Sequence, residues 1–207
     1  MPTLKITPHS IADWDWQHGA SYRSLSATHF ISAPTSLRFM APTPPSIYTT
    51  ALCRIASTLC LPQGEVRTWW RMAAAEMNVL TFRNQAPLDS ADRENCYLLY
   101  SLPTRFRLFR VLAGHMTIVG DALFDYTSDT WHHVRCRFWN GENPEGVPCL
   151  CVNIYVEEEG DWVQCSITLY DEVNLFKDSD INRCGILPAS VFNIPNYYDD
   201  TEIWGPV

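Results

Sequence analysis

Residues 130–141 read TWHHVRCRFWNG. Past Trp131, polar and apolar side chains alternate, with Val134, Cys136 and Phe138 on one side and His133, Arg135 and Arg137 on the other. Successive side chains of a strand point to opposite faces, so this period of two predicts a strand with one buried face. The same beat runs outward in both directions. Upstream, residues 65–72 (EVRTWWRM) put Val66, Thr68, Trp70 and Met72 on one face. Downstream, residues 149–156 set Leu150, Val152, Ile154 and Val156 against Cys149, Cys151, Asn153 and Tyr155. Residues 163–170 set Val163, Cys165, Ile167 and Leu169 against Gln164, Ser166, Thr168 and Tyr170. Residues 104–112 (TRFRLFRVL) begin in phase, with Phe106 and Leu108 opposite Arg105 and Arg107, and then slip. That slip predicts a bulge, or a strand buried on both sides.

Turn chemistry separates these runs: Pro62-Gln63-Gly64, Ala113-Gly114-His115 and Glu159-Gly160-Asp161, with longer loops over 140–148 and 84–94. Helical signal is thin. Residues 72–77 (MAAAEM) and 171–182 (DEVNLFKDSDIN) are the two stretches that could hold a short helix. Pro42, Pro44 and Pro45 mark a loop, and no repeat or low-complexity block divides the chain. The expectation is one all-β domain over 1–207, a two-sheet antiparallel jelly-roll β-sandwich with at most one or two short helices.

Composition bounds the function. The chain has 207 residues, 46% of them apolar and 13% aromatic, which excludes a disordered chain. Against 15 basic residues stand 23 acidic ones, a net charge of −8, which argues against a nucleic-acid partner. No apolar run reaches a membrane span of about 18 residues, so no membrane partner is expected. The opening MPTLKITPHSIADWDW lacks the basic and apolar regions of a signal peptide, so synthesis in a cytoplasm is expected. The eight cysteines then read as free thiols. Cys136 and Cys165 fall in phase with core positions, and without a C-x-x-C pair no zinc site is expected.

Four stretches together resemble the concanavalin A-like and laminin-G-like jelly rolls. They are TWHHVRCRFWNG, the following LCVNIYVEEEGDW, the closing GILPASVFNIPNYYDDTEIWG and the opening ADWDWQHGASYRSLSATHFISAPTSLRF. The resemblance implies that the N- and C-terminal strands pair. Some relatives hold calcium with acids of the closing segment, which would here be Asp199, Asp200 and Glu202; otherwise no cofactor is expected. Asp199 and Asp200 are also placed to accept backbone N–H bonds. Lectins, glycanases, adhesion modules and viral coat parts all use this fold, so the fold does not fix the function.

No catalytic residue is expected. The acid spacing of the glucanase-type relatives is missing. Glu157, Glu158 and Glu159 read as a solvated turn, and Asp200 and Glu202 lack a third acid. His115, His132 and His133 read as structural, with at least one of the adjacent pair facing solvent. Two non-enzymatic roles remain, with a glycoside hydrolase as the remote third. The first expectation is a virion accessory protein, a capsid decoration or cement subunit of a phage, which works through contacts with other virion subunits and as a homo-oligomer, a trimer included. It rests on the missing export signal, on a module standing alone and on 13 Arg against 2 Lys. The alternative is a carbohydrate-binding module whose exposed aromatics stack on sugar faces. The candidates for either glycan binding or interface anchoring are Trp14, Trp16, Trp69, Trp139 and Tyr197. Trp69 adjoins Trp70, and Trp139 adjoins Phe138, so one of each pair must face outward on a regular strand.

Overall fold

The computed structural model of the chain describes residues 3–6, 14–16, 23–32, 34–39, 47–48, 51–53, 61–72, 78–85, 95–179, 182–186, 189–190 and 196–205. The first strands are β1 (Thr3–Ile6), β2 (Trp14–Trp16), β3 (Arg23–Ser26), β4 (Ser36–Phe39), β5 (Ile47–Tyr48) and β6 (Ala51–Cys53). The central ones are β7 (Gly64–Met72), β8 (Val79–Asn84), β9 (Cys96–Leu102), β10 (Arg105–Leu112), β11 (His115–Leu123) and β12 (His132–Glu142). The last are β13 (Pro148–Glu158), β14 (Asp161–Gln164), β15 (Leu169–Asp171), β16 (Arg183–Ile186), β17 (Ala189–Ser190) and β18 (Asn196–Gly205). A nine-stranded first sheet runs β14-β13-β12-β7-β18-β4-β3, with β1 on β18 and β15 on β13. A seven-stranded second sheet runs β11-β10-β9-β8-β16-β6-β2, and β17 pairs β5 apart from both. Every described pairing is antiparallel, and the terminal strands β1 and β18 pair as the resemblance implied.

The alternating residues build the layer between the sheets. The first sheet contributes Val66, Trp70, Val134, Cys136, Phe138, Leu150, Val152, Ile154, Tyr198 and Ile203, and the second contributes Leu80, Phe82, Tyr97, Leu99, Phe106 and Leu108. Phe82 stacks on Phe138 at 4.5 Å across the interface, and Trp70 meets Phe106 at 5.9 Å. The slip in residues 104–112 is a bulge opposite β11, between Leu108 and Phe109. A second bulge lies in β18 between Asp199 and Glu202, where Asp200 takes φ 41. It resets the phase so that Tyr198 and Ile203, an odd number apart, both reach the core. Thr68 and Thr201 close the space at that bulge by a buried hydroxyl pair at 2.7 Å.

Two hairpins turn through positive-φ pairs, Ala113-Gly114 (49 and 78) and Glu159-Gly160 (53 and 91). Such turns match strand twist, and glycine takes the left-handed position without penalty.

Three local expectations are corrected. Residues 140–142 belong to β12, so the loop there is only 143–147, closed by Asn143 Oδ1 accepting from Glu145 N and Val147 N, both at 2.9 Å. Residues 163–170 do not form one strand. The ladder breaks after Gln164 and resumes at Leu169, because Gln164 Nε2 donates to the Ser166 carbonyl and Ser166 Oγ to that of Ile167 (2.6 and 2.8 Å). Asp171 ends β15 and residues 172–178 form turns, not a helix, held by Leu175 N donating to Tyr97 Oη at 3.0 Å and by the buried Arg83 guanidinium on Asn174 Oδ1 at 2.7 Å; residues 180–181 of that candidate lie outside the described residues. Most of the other helix candidate (73–77) and most of the loop 84–94 lie outside the described residues. Six cysteines, Cys96, Cys136, Cys149, Cys151, Cys165 and Cys184, are free thiols, all but Cys165 buried.

Candidate functional site

The residues left over from the core phase of β7, β12, β13, β14 and β18 all point away from the second sheet. Antiparallel register puts directly opposed residues on the same face, so they form rows across four or five strands. One row runs Glu202, Arg67, Arg135, Tyr155, Gln164. Beside it, Asp199 faces Trp69, Trp69 faces His133, and Glu157 faces Trp162. On the other side, Trp204 faces Glu65, Glu65 faces Arg137, and Arg137 faces Asn153.

Side-chain contacts knit the rows together. The His133 ring stacks on Trp69 at 4.5 Å, with planes 13° apart, and meets Trp162 at 4.6 Å. Its Nδ1 is 2.5 Å from Glu157 Oε2. The Arg67 guanidinium lies between two indoles, 4.6 Å from the Trp204 ring and 5.8 Å from Trp162. The Arg135 guanidinium lies 4.9 Å from the Tyr155 ring and 5.7 Å from Trp162. Trp204 Nε1 donates to Glu202 Oε2 at 2.8 Å, and Asn153 Nδ2 donates to the Tyr155 hydroxyl at 3.1 Å. Beneath them Glu65, only 1% exposed, takes Arg67 on one oxygen and Arg135 on the other, the latter at 2.6 Å. A buried carboxylate is tolerable only with such partners. It also fixes the position of both guanidiniums.

Burial pushes the His133 imidazole below its usual range, opposed by the Glu157 carboxylate. His132, next along β12, is also lowered by burial, and both are half-buried, so neither is the solvent-facing histidine expected. Gln164, the end of the first row, also lines a cavity of about 530 Å³ with Phe124, Glu158, Val163 and Cys165.

The predicted aromatics separate. Trp69 lies inside the rows, half-buried. Trp139 shares the face nearer the 143–147 loop, with Arg137 5.6 Å from its ring. It packs so closely on Gly141 that a Cβ there would lie 2.9 Å from its Nε1. Tyr197 is on the same side of β18 but only 8% exposed, tucked under His29 and Trp131, so it is not the open platform expected. Trp14 and Trp16 are on β2, at the far edge of the second sheet, apart from the others; their side chains lie outside the described residues.

Each of the three acids of the closing segment, named from the resemblance as calcium candidates, holds a partner within the protein. Asp199 Oδ2 accepts from Ile31 N and Ser32 N (2.6 and 3.1 Å), and its Oδ1 accepts from Asp200 N at 2.8 Å. Asp200 takes the Ser32 hydroxyl, and Glu202 takes the Trp204 indole. Among the described residues, no group of three or more His, Cys, Asp or Glu side chains is arranged around a metal-sized space.

Glu65, Arg67, Arg135, Tyr155, Glu157 and Trp162 were not singled out from sequence, and Glu157 was read as part of a solvated turn. The signal was present in the second phase of the alternation, where Glu65, Arg67 and Trp69 on one strand oppose Arg137, Arg135 and His133 on its neighbour.

No protein-family model matches the chain, and no curated protein matches it. Solved structures share the fold. One is a carbohydrate binding module, CBM66, from Bacillus subtilis, 12% identical with a TM-score of 0.56, covering 93% of this chain and 96% of that one. Another is the exoplasmic/lumenal domain of VIP36 in its Ca2+/Man3GlcNAc-bound form, 12% identical with a TM-score of 0.58, covering 99% and 90%. A third is a PL-14 alginate lyase from the marine animal Aplysia kurodai, 14% identical with a TM-score of 0.57, covering 98% of each chain. At these identities the likeness shows an all-β jelly-roll sandwich and nothing finer.

Proposed function

We propose that this chain is a non-catalytic carbohydrate-binding sandwich that holds a saccharide on the outer face of its first sheet. The observation that carries the reading is the set of rows across these strands, in which half-buried indoles and an imidazole sit among guanidinium, amide and carboxylate groups. Sugars present apolar ring faces and hydroxyl edges, and this face offers a partner for each. Leaving Trp69, Trp162 and Trp204 partly open to water has a cost that a ligand would recover. Two of the solved structures sharing the fold, a carbohydrate binding module and a saccharide-bound lumenal domain, support the same reading.

The sequence placed a virion accessory role first. That order is reversed here, because the support from fold neighbours goes to saccharides. The test is binding of the full chain to a panel of soluble polysaccharides, by retardation in affinity gels and by calorimetry. Retardation by at least one polysaccharide is expected, with Trp69→Ala and Trp162→Ala each weakening it about tenfold, the worth of a lost stacking contact. Binding unaffected by either substitution would move the site elsewhere. Shorter saccharides appearing after incubation would overturn the non-catalytic part.

A further inference from the structure

We propose that the saccharide is acidic, its rings carrying carboxylate or sulfate groups that meet Arg67, Arg135 and Arg137. The inference rests on the carbohydrate reading and deepens it. The acids around the rows are already engaged: Glu157 with the His133 ring, Glu202 with the Trp204 indole, and Asp199 with backbone N–H groups of residues 31 and 32. Arg71 is also engaged, with His29 and Asp129. Arg67 and Arg135 share the single carboxylate of Glu65, so that trio keeps one positive charge. Arg137, in the adjoining row, is exposed, and no carboxylate of the described residues pairs with it. Two of the three neighbouring guanidiniums therefore share one ion-paired carboxylate and the third, Arg137, has none among the described residues, while Glu157 and Glu202 keep their charge on neutral hydrogen-bond partners.

The geometry adds to the charge. Glu65 lies buried beneath this face and pairs with both arginines. A guanidinium offers planar forks that match carboxylate and sulfate oxygens two at a time. The Tyr155, Trp162 and Trp204 rings lie within 6 Å of the same guanidiniums. A ligand that lays a ring face on these aromatics thus brings its acidic substituents onto the arginines. A neutral sugar would leave Arg137 without an anionic partner, which disfavours it.

The test is calorimetry of the full chain with three oligosaccharide preparations: oligogalacturonate, the same oligomers with their carboxyl groups reduced to neutral alcohols, and a sulfated galactan fragment. Either acidic preparation should bind at least about tenfold tighter than the neutral one, and that binding should weaken as NaCl is raised. Whichever acid binds more tightly identifies the anion. Arg135→Gln should remove most of the preference for acid. Arg137→Gln, at an exposed position where folding is not at stake, should weaken acid binding several-fold more than it weakens neutral binding. Equal, salt-insensitive binding of acidic and neutral oligomers overturns this inference and leaves the carbohydrate reading standing. Failure of all three here, and of every polysaccharide in the broader panel, sinks both.

Discussion

The two sheets share one core but differ in what they turn away from it. On the first sheet the outward positions of β7 and β12 are Glu65, Arg67, Trp69 and Arg71 beside His133, Arg135, Arg137 and Trp139, and nearly all are polar or amphipathic. On the second sheet Val79, Leu98, Tyr100 and Val111 form a separate cluster with Cys96 and Phe109, outside the main core and buried there. β8 and β9 accordingly read as near-continuous apolar runs (VLTF, CYLLY), whereas β12 alternates cleanly. Alternation marks a sheet face left free to do something else, and its loss marks a face that is covered. Charge and aromatic density therefore carry functional information on the first sheet that they cannot carry on the second.

The sharpest way to break that comparison lies within one dipeptide. Trp70 is fully buried between Phe106 and Tyr198, whereas its neighbour Trp69 stacks on His133 on the outer face. Trp70→Ala should cost about 3–5 kcal/mol in denaturant unfolding. Trp69→Ala should cost about 1 kcal/mol, the value of an aromatic pair, and show its larger effect in saccharide binding. Equal losses of stability would mean that the outer face is a second core. Leu98→Ala tests the other sheet. Although it lies outside the main core, it is buried and should lose about 2–5 kcal/mol, as a core leucine would. A loss below about 0.5 kcal/mol would make that face a free surface like the first one.

Much of this was legible in the sequence because period-two patterning is a local signal. Val134, Cys136 and Phe138 fall where their spacing puts them, the slip in residues 104–112 is a bulge, and Trp69 and Trp139 face outward opposite Trp70 and Phe138. What stayed hidden was register. That Arg67 faces Arg135, and that Glu65 lies under both, depends on how β7 pairs β12 across more than sixty residues of chain, and nothing local encodes it. Tyr197 shows the same limit. Its phase is outward, but His29, from a distant loop, covers it, and Asp199 anchors that loop through the backbone of Ile31 and Ser32. The acids that resembled calcium ligands hold that loop and the Trp204 indole in place.

A smaller effect should appear with pH. Burial lowers the imidazole pKa of His133 below the 6.5 of an unfolded chain. Between the folded value and 6.5 the unfolded state then binds more protons, so stability rises with pH through that window and is lost as pH falls through it. His29 and His132 act in the same direction. Unfolding curves from pH 7 downward should show this slope, and His133→Gln should make it shallower. An unchanged slope in that variant would mean that the outer-face imidazole titrates as freely as one in water.

The smallest expected effect is at Ile167, and it separates patterning from structure most cleanly. By spacing, Ile167 lies in phase with Cys165 and Leu169 and belongs to the core; in the structure it is 83% exposed. Its neighbours do pack inward, Cys165 against the core and Leu169 so close to Gly120 that a Cβ there would lie 3.0 Å from the leucine. The ladder break over residues 165–168 lets Ile167 swing out between them. Ile167→Ser should therefore change stability by no more than about 0.5 kcal/mol, as surface substitutions do. A core isoleucine cut back so far would cost about 2–5 kcal/mol. A loss of that size in thermal or denaturant unfolding would restore a continuous strand over 163–170 and extend the first sheet's edge, and with it the row that ends at Gln164 and the cavity beside it.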